Sequence, residues 1–105
     1  MKMVRAVVRP EKVQRVAKAL DAAGFSSLTK FHVFGRGNQG GIQVGPILYD
    51  ELAKVMLLLV VADADVDQVR TTIADTAWTG SMGDGKIFVS PVEEVYTIRT
   101  GEVVR

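Results

Sequence analysis

Residues 55–61, with the sequence VMLLLVV, form an apolar run without a charge. A run of this length and composition is typical of a strand in the middle of a sheet. After it, apolar residues recur at the spacing of one helix face: Val66, Val69, Ile73 and Ala77. Asp63 or Asp65 can cap this helix. A glycine-rich loop follows, and residues 86–92 then predict another strand.

The first half of the chain repeats this plan. Residues 4–8 are rich in β-branched side chains and predict a strand, and Pro10 suits the first turn of a helix. Apolar residues again recur at helical spacing: Val13, Val16, Leu20 and Ala23. Gly24 fits the end of that helix, and residues 27–34 predict a second strand. Strand, helix, strand, written twice, predicts one α+β domain over residues 1–105, a ferredoxin-like double βαβ sandwich with both helices on one face of an antiparallel sheet.

Composition excludes several classes of function. The chain has 105 residues, 48% of them apolar and 24% charged, and its net charge is +1. So small a charge would not draw the chain to nucleic acid or to an anionic membrane. The absence of cysteine excludes disulfides and thiolate metal sites. The apolar stretch 55–62 is too short to cross a bilayer and no signal peptide is recognisable, so we expect a cytoplasmic protein.

The glycine loop, residues 79–86 with the sequence TGSMGDGK, allows two interpretations. Closely spaced glycines let backbone N–H groups converge on a phosphate, and Lys86 adds a positive charge. Gly-Asp-Gly is also an ordinary turn, and a lysine at a strand edge is commonly solvated. The spacing of a Walker loop is absent, so a P-loop NTPase is not indicated.

Two further segments suggest binding or contact with other subunits. Residues 35–53 form a long glycine-rich connection, and such connections on rigid scaffolds commonly carry binding sites. The tail, residues 96–105, is polar and can fray or reach a neighbouring subunit. His32 is the sole histidine, so it is a poor candidate for a metal ligand.

At this point the chain resembles the PII family of nitrogen-signalling proteins along nearly its whole length. The matching pieces are Arg5-Ala6-Val7-Val8-Arg9-Pro10, Gly35-x-Gly37-x-Gln39-x-Gly41, Thr79-Gly80-x-x-Gly83-Asp84-Gly85-Lys86-Ile87-Phe88-Val89, and Ile98-Arg99-Thr100-Gly101-Glu102. The entry 33–37, the shortened arm and the segment 90–97 look most like the NifI branch, which regulates nitrogenase.

The resemblance implies a homotrimer, or a mixed oligomer with a sister NifI subunit, that senses ligands. Clefts between subunits would bind ATP or ADP, and 2-oxoglutarate with Mg²⁺. The arm, or T-loop, at about residues 37–52 would dock on a target, with the B-loop at about 79–86 and the C-terminal loop at about 96–105. A nitrogenase component is the implied target, without nucleic acid or membrane insertion.

The resemblance also assigns site residues. Those implied for the nucleotide are Thr29, Gly35, Gly37, Asn38, Gln39, Gly83, Asp84, Gly85, Lys86 and Arg99, the last from a neighbouring subunit. Among them, Gly83, Asp84 and Gly85 would hold the phosphates through their backbone N–H groups. Those implied for 2-oxoglutarate are Gly37, Gln39, Gly41 and Lys54, and Gln39 would also ligate Mg²⁺. Asn38, Ser81 and Thr97 stand where the family often has cations, so we expect a lower nucleotide affinity or a shifted balance between ATP and ADP. Trp78, before the loop, can contact nucleotide or a subunit, or simply pack.

Other functions stay open at this stage. A PII protein could serve an ammonium transporter or a biosynthetic enzyme instead of nitrogenase. A ferredoxin-like trimer without nucleotide, such as a metal-linked one like the CutA proteins, is a second alternative, and a slow ATPase is a third. No nucleophile and base stand at recognisable spacing, so the chain is not expected to be an enzyme.

Overall fold

The computed structural model describes residues 1–36, 42–44, 47–49 and 52–105. Its principal sheet has four strands, β1 (Lys2–Val8), β2 (Thr29–Gly35), β5 (Leu52–Val61) and β6 (Lys86–Pro91). Their order in the sheet is β2-β5-β1-β6, and every neighbouring pair is antiparallel. The helices are α1 (Val13–Ala22) and α2 (Val66–Ala77), each preceded by a short 3₁₀ turn. The predicted α+β architecture is confirmed.

The core lies between the two helices and one face of the sheet. Alternate strand positions are buried there, as period 2 requires: Val4, Ala6, Val8, Val55, Leu57, Leu59 and Val61. The helices contribute one stripe each: Val13, Val16, Leu20, Val69, Ile73 and Ala77. The apolar spacing that predicted the helices is therefore the spacing that fills the core.

The opposite face of the sheet is only partly covered within the chain. The strand register places Phe31, Met56, Val7 and Lys86 in one row across all four strands. Phe31 is 43% exposed, and Phe88, in the next row, is 51% exposed. This face, the uncovered sheet face, therefore carries both apolar side chains and cations.

The ends of the two helices depend on local backbone conformation and hydrogen bonds. Gly24 has φ +96°, and the chain closes α1 with hydrogen bonds from Phe25 N to Leu20 O and from Gly24 N to Asp21 O. This is a Schellman motif, which confirms Gly24 as the end of the helix. Of the two predicted caps of α2, Asp63 and Asp65, the second stands at the N-cap position, but the side-chain bond of a cap is not formed. Neither makes a side-chain cap bond, because the 3₁₀ turn keeps Asp65 helical (φ −94°, ψ −8°) instead of extended.

Both segments predicted as loops contain short hairpins. Within the arm, β3 (Ile42–Val44) pairs with β4 (Ile47–Tyr49). In the tail, β7 (Val95–Tyr96) pairs with β8 (Val103–Val104). Of the two alternatives for the tail, fraying is therefore excluded for these strands, and contact with a neighbouring subunit stays a prediction. Thr97 N donates to Glu102 O at 2.9 Å and Gly101 N to Thr97 O at 2.8 Å, which closes its turn. Among the described residues, neither helix is long and apolar enough to span a membrane.

Candidate functional site

The glycine loop connects the end of α2 to the start of β6 and runs against the end of β1. Gly80, Gly83 and Gly85 all have positive φ, between +87° and +105°. At Gly85 a Cβ atom would lie 1.7 Å from the carbonyl oxygen of Val7, where no side chain fits. Both the backbone conformation and the close approach to β1 therefore require glycine at position 85.

The carboxylate of Asp84 organises the loop from inside. Its Oδ2 accepts hydrogen bonds from Thr79 N at 2.8 Å and Gly80 N at 2.9 Å, and its Oδ1 accepts one from the Thr79 hydroxyl. These bonds, with that of Thr79's side chain first among them, hold the pKa of Asp84 well below its usual range. The side chain of Asp84 is thus an ionised structural element of the loop.

Two cations from other strands reach the same loop. Arg9, just after β1, donates from Nε to Asp84 Oδ1 at 3.2 Å and from Nη2 to Met82 O at 2.7 Å. Lys54, on β5, donates to Gly83 O. A Cβ atom at Gly83 would be 3.3 Å from both Arg9 Nη2 and Lys54 Nζ, so the two cations flank one glycine.

Lys54 is the buried charge of the site. Only 8% of it is exposed. Burial lowers the pKa of its ammonium, and the nearby positive charge of Arg9 lowers it further. A buried cation needs acceptors, and the carbonyl of Gly83 supplies one.

A cleft of about 860 Å³ opens beside the glycine loop, at the end of the uncovered sheet face. Its lining residues are Val7, Gly35, Arg36, Leu52, Lys54, Met82, Gly83, Gly85, Lys86 and Phe88. Three cations thus border one concave space, with apolar walls beside them. That combination suits an anion attached to an apolar or aromatic body.

The structure brings five of the sequence-predicted site residues to this cleft: Gly35, Lys54, Gly83, Gly85 and Lys86. Asp84 belongs to the loop beside it. Thr29 lies on β2 opposite Leu58, away from the cleft lining, and Arg99 lies in the exposed turn of the C-terminal hairpin. The predicted ligand residues Gly37, Asn38, Gln39 and Gly41 lie outside the described residues.

Sequence reasoning missed the contribution of three side chains. Arg9 was quoted only as part of a motif, yet it contacts the loop at two atoms. Arg36 lines the cleft. Asp84 was predicted to contribute its backbone N–H, whereas its carboxylate shapes the loop. An aspartate between glycines commonly bonds its own turn, and that signal could have indicated its role.

Trp78 stands at the entrance to the loop and is 70% exposed. Its indole lies over Gly80, where a Cβ atom would come within 3.0 Å of Cζ2. The indole therefore lies against the backbone of the loop and outside the core, so it can serve as a fluorescent probe of the loop.

Comparison with known proteins places the chain among nitrogen regulators. The family model described as "Nitrogen regulatory protein P-II" matches residues 1–102. "Nitrogen fixation nifHD region GlnB-like protein 1" of Methanothermobacter marburgensis is 57% identical over 102 residues, 97% of each chain. The protein of that name from Methanothermococcus thermolithotrophicus is 53% identical over 102 residues, again 97% of each chain. "Nitrogen regulatory protein P-II 2" of Methanothermobacter thermautotrophicus is 48% identical over 106 residues, 97% of this chain and 92% of that one.

Proposed function

The chain belongs to the P-II family of nitrogen regulatory proteins, and from that premise we propose that it senses ATP or ADP together with 2-oxoglutarate. The cleft beside the glycine loop is the proposed sensing site, and the arm at about 37–52 is the proposed output. The relatives named for a nitrogen-fixation region favour a nitrogenase component as target. The protein acts by binding, in the cytoplasm, and not by turnover.

The convergence of cations on the loop is the observation that carries this proposal. Arg36, Lys54 and Lys86 border one cleft, whose volume of about 860 Å³ is within the range of small-molecule sites. Positive charges that border one cleft repel one another, and an anion bound between them offsets that repulsion. A polyphosphate or a dicarboxylate supplies that anion.

Within the proposed site each group has a role set by its chemistry. Backbone N–H groups of Gly83, Asp84 and Gly85 bind phosphate oxygens, and Lys86 neutralises their charge. Lys54 pairs with a carboxylate of 2-oxoglutarate. Gln39 ligates Mg²⁺ through its amide oxygen, with the backbone at 37–41 close to the ligand; these residues lie outside the described part of the chain.

Assembly completes the proposed site. The uncovered sheet face, with Phe31 and Phe88 about half exposed, is the surface that subunits of a homotrimer, or of a mixed oligomer with a sister NifI subunit, would bury. Arg99 lies on the exposed tail hairpin, from which its guanidinium closes over phosphates bound to the neighbouring subunit. Thr29 lies away from the cleft lining of its own chain, so its proposed approach to the adenine depends on the assembled protein.

Calorimetry backed by Trp78 fluorescence tests the ligands. We expect saturable Mg²⁺-ATP binding that 2-oxoglutarate tightens, and a loss of at least about tenfold in affinity for Lys86→Ala. Lys18→Ala, on the exposed face of α1, is the matched control and should bind as wild type. Binding indifferent to 2-oxoglutarate would remove Lys54 and Gln39 from the site. No ATP binding by the assembled protein would reject the sensor.

Affinity capture tests the target. The arm is proposed to bind a nitrogenase component when 2-oxoglutarate is low, and 2-oxoglutarate with Mg²⁺-ATP releases it because the ligand prefers another arm conformation. Capture of the nitrogenase component only at low 2-oxoglutarate supports this target. Recovery of an ammonium transporter or a biosynthetic enzyme in its place would assign a different client.

A further inference from the structure

Arg9 links the end of β1 to the glycine loop across 75 positions of sequence. Its Nε and Nη2 bind different acceptors, Asp84 Oδ1 at 3.2 Å and Met82 O at 2.7 Å. We propose that Arg9 is a positioning residue that fixes the shape of the glycine loop, so that nucleotide affinity depends on it without its touching the nucleotide. The second half of this statement rests on the proposed function; the first half does not.

The contact with Asp84 fixes the first turn of the loop. The two oxygens of Asp84 accept from Thr79 N, Gly80 N and the Thr79 hydroxyl, and Arg9 occupies the remaining approach to Oδ1. With both oxygens engaged, the carboxylate has one orientation that satisfies all its partners. Loss of the Arg9 bond frees the carboxylate to turn toward solvent, and its hold on the two backbone N–H groups weakens.

The contact with Met82 sets the direction of a backbone donor. All peptide bonds of the described chain are trans, so the N–H of Gly83 points opposite to the C=O of Met82. Because Arg9 draws that oxygen toward itself, it turns the Gly83 N–H to the other side of the peptide. The glycine at 83 has φ +96° and no side chain to restrict rotation, so its orientation depends on external anchors, of which Arg9 is one and Lys54, bonded to Gly83 O, is another.

A guanidinium suits this task better than an ammonium. It presents its donors in a rigid plane, so that one side chain serves a carboxylate and a carbonyl together. Lysine keeps the charge but offers a single donor position. A positioning role therefore predicts partial rescue by Arg9→Lys, whereas a role limited to attracting anions predicts full rescue.

Amide hydrogen exchange, followed by NMR on the ligand-free protein, tests the positioning. In Arg9→Met we expect the Thr79 and Gly80 amides to exchange about tenfold faster, with Arg9→Lys in between and the buried amides of β1 and β5 unchanged. Arg15→Met, which removes an exposed arginine of α1, should exchange as wild type. Unchanged exchange at Thr79 and Gly80 in Arg9→Met overturns the proposal. If Arg9→Met does not fold, the comparison of Arg9→Lys with wild type decides.

Calorimetry with Mg²⁺-ATP on the same variants tests the consequence. We expect the affinity to fall about tenfold in Arg9→Met and less in Arg9→Lys, in the order of the exchange rates. Lost affinity with intact amide protection would mean that Arg9 contacts the ligand directly, and lost protection with intact affinity would mean that loop shape does not serve binding. Either result overturns the link. If wild type binds no ATP, the proposed function fails, while the exchange rates still decide the positioning role.

Discussion

The glycine loop and the C-terminal hairpin are both turns that depend on glycine at positive φ, yet they are held in place differently. The hairpin is closed by its own backbone, with Thr97 and Gly101 bonded across the turn, and its tip residue Ile98 is 91% exposed. The glycine loop has local bonds too, from Thr79 and Gly80 to Asp84, but it is also held by Arg9, just after β1, and by Lys54, on β5. The shape of the hairpin turn therefore depends on bonds within the turn, whereas that of the glycine loop depends also on residues distant in sequence.

Replacement of Gly85 by alanine should break the glycine loop most severely. The added Cβ would meet Val7 O at 1.7 Å, so β1 and the loop must move apart, and we expect a loss of about 3 kcal/mol or more in the free energy of unfolding. Gly24→Ala is a matched control, since Gly24 has a similar φ of +96° but nothing within 4 Å. It should cost about 1 kcal/mol in chemical denaturation. Equal costs for the two variants would show that φ, and not contact with β1, governs position 85.

Acid should weaken the glycine loop, because its structure depends on an ionised carboxylate. The hydrogen bonds to Asp84 depress its pKa in the folded state, so the stability it contributes is present above the ordinary aspartate pKa. That contribution falls as the pH drops below about 4, where the unfolded state binds a proton more readily. In Asp84→Asn the dependence of stability on pH should be flatter, as measured by urea unfolding between pH 3 and 7 (a range of about 4 units). An unchanged slope in Asp84→Asn would contradict the ionised role of this carboxylate.

The hairpin should show the smallest effect on stability and a separate effect on binding. Arg99 is exposed in the turn, so Arg99→Ala should change the free energy of unfolding by no more than about 0.5 kcal/mol. Under the proposed function it should still weaken Mg²⁺-ATP binding, because a charge-assisted hydrogen bond to phosphate is lost. Thermal unfolding and calorimetry on one preparation separate the two. A large loss of stability would show that the hairpin, like the loop, is held by contacts at its tip.

The sequence predicted the sheet and helices because their signals are periodic and local. The spacing of Val13, Val16 and Leu20 predicts a helix face, and the apolar run 55–61 predicts a buried strand. Both predictions need only the local sequence and not the rest of the chain. The resemblance to the P-II family is likewise confirmed by the family match and by relatives more than half identical. Strand ends were shifted, since β5 begins at Leu52 and not at 55, so Lys54 lies inside a strand and not before it.

The contacts of the site could not be predicted in the same way. Arg9 and Asp84 are 75 positions apart, and only the register of β1 against β6 brings them together. The role of the Asp84 carboxylate was not predicted, because the glycine motif was interpreted only as a set of backbone N–H donors. The tail hairpin was missed because strands of two residues, Val95–Tyr96 and Val103–Val104, are too short to show a period. The predictions for Gln39, Gly37, Asn38 and Gly41 stay predictions.

Under the proposed assembly, the uncovered sheet face makes the stability of the protein depend on its concentration. A subunit whose apolar rows at Phe31 and Phe88 are buried by other copies gains that free energy only when copies meet. Its thermal midpoint then rises with protein concentration, as mass action requires. Dilution would lower the stability of such a regulator. The protein would therefore be less stable in a cell that makes few copies than in a concentrated sample.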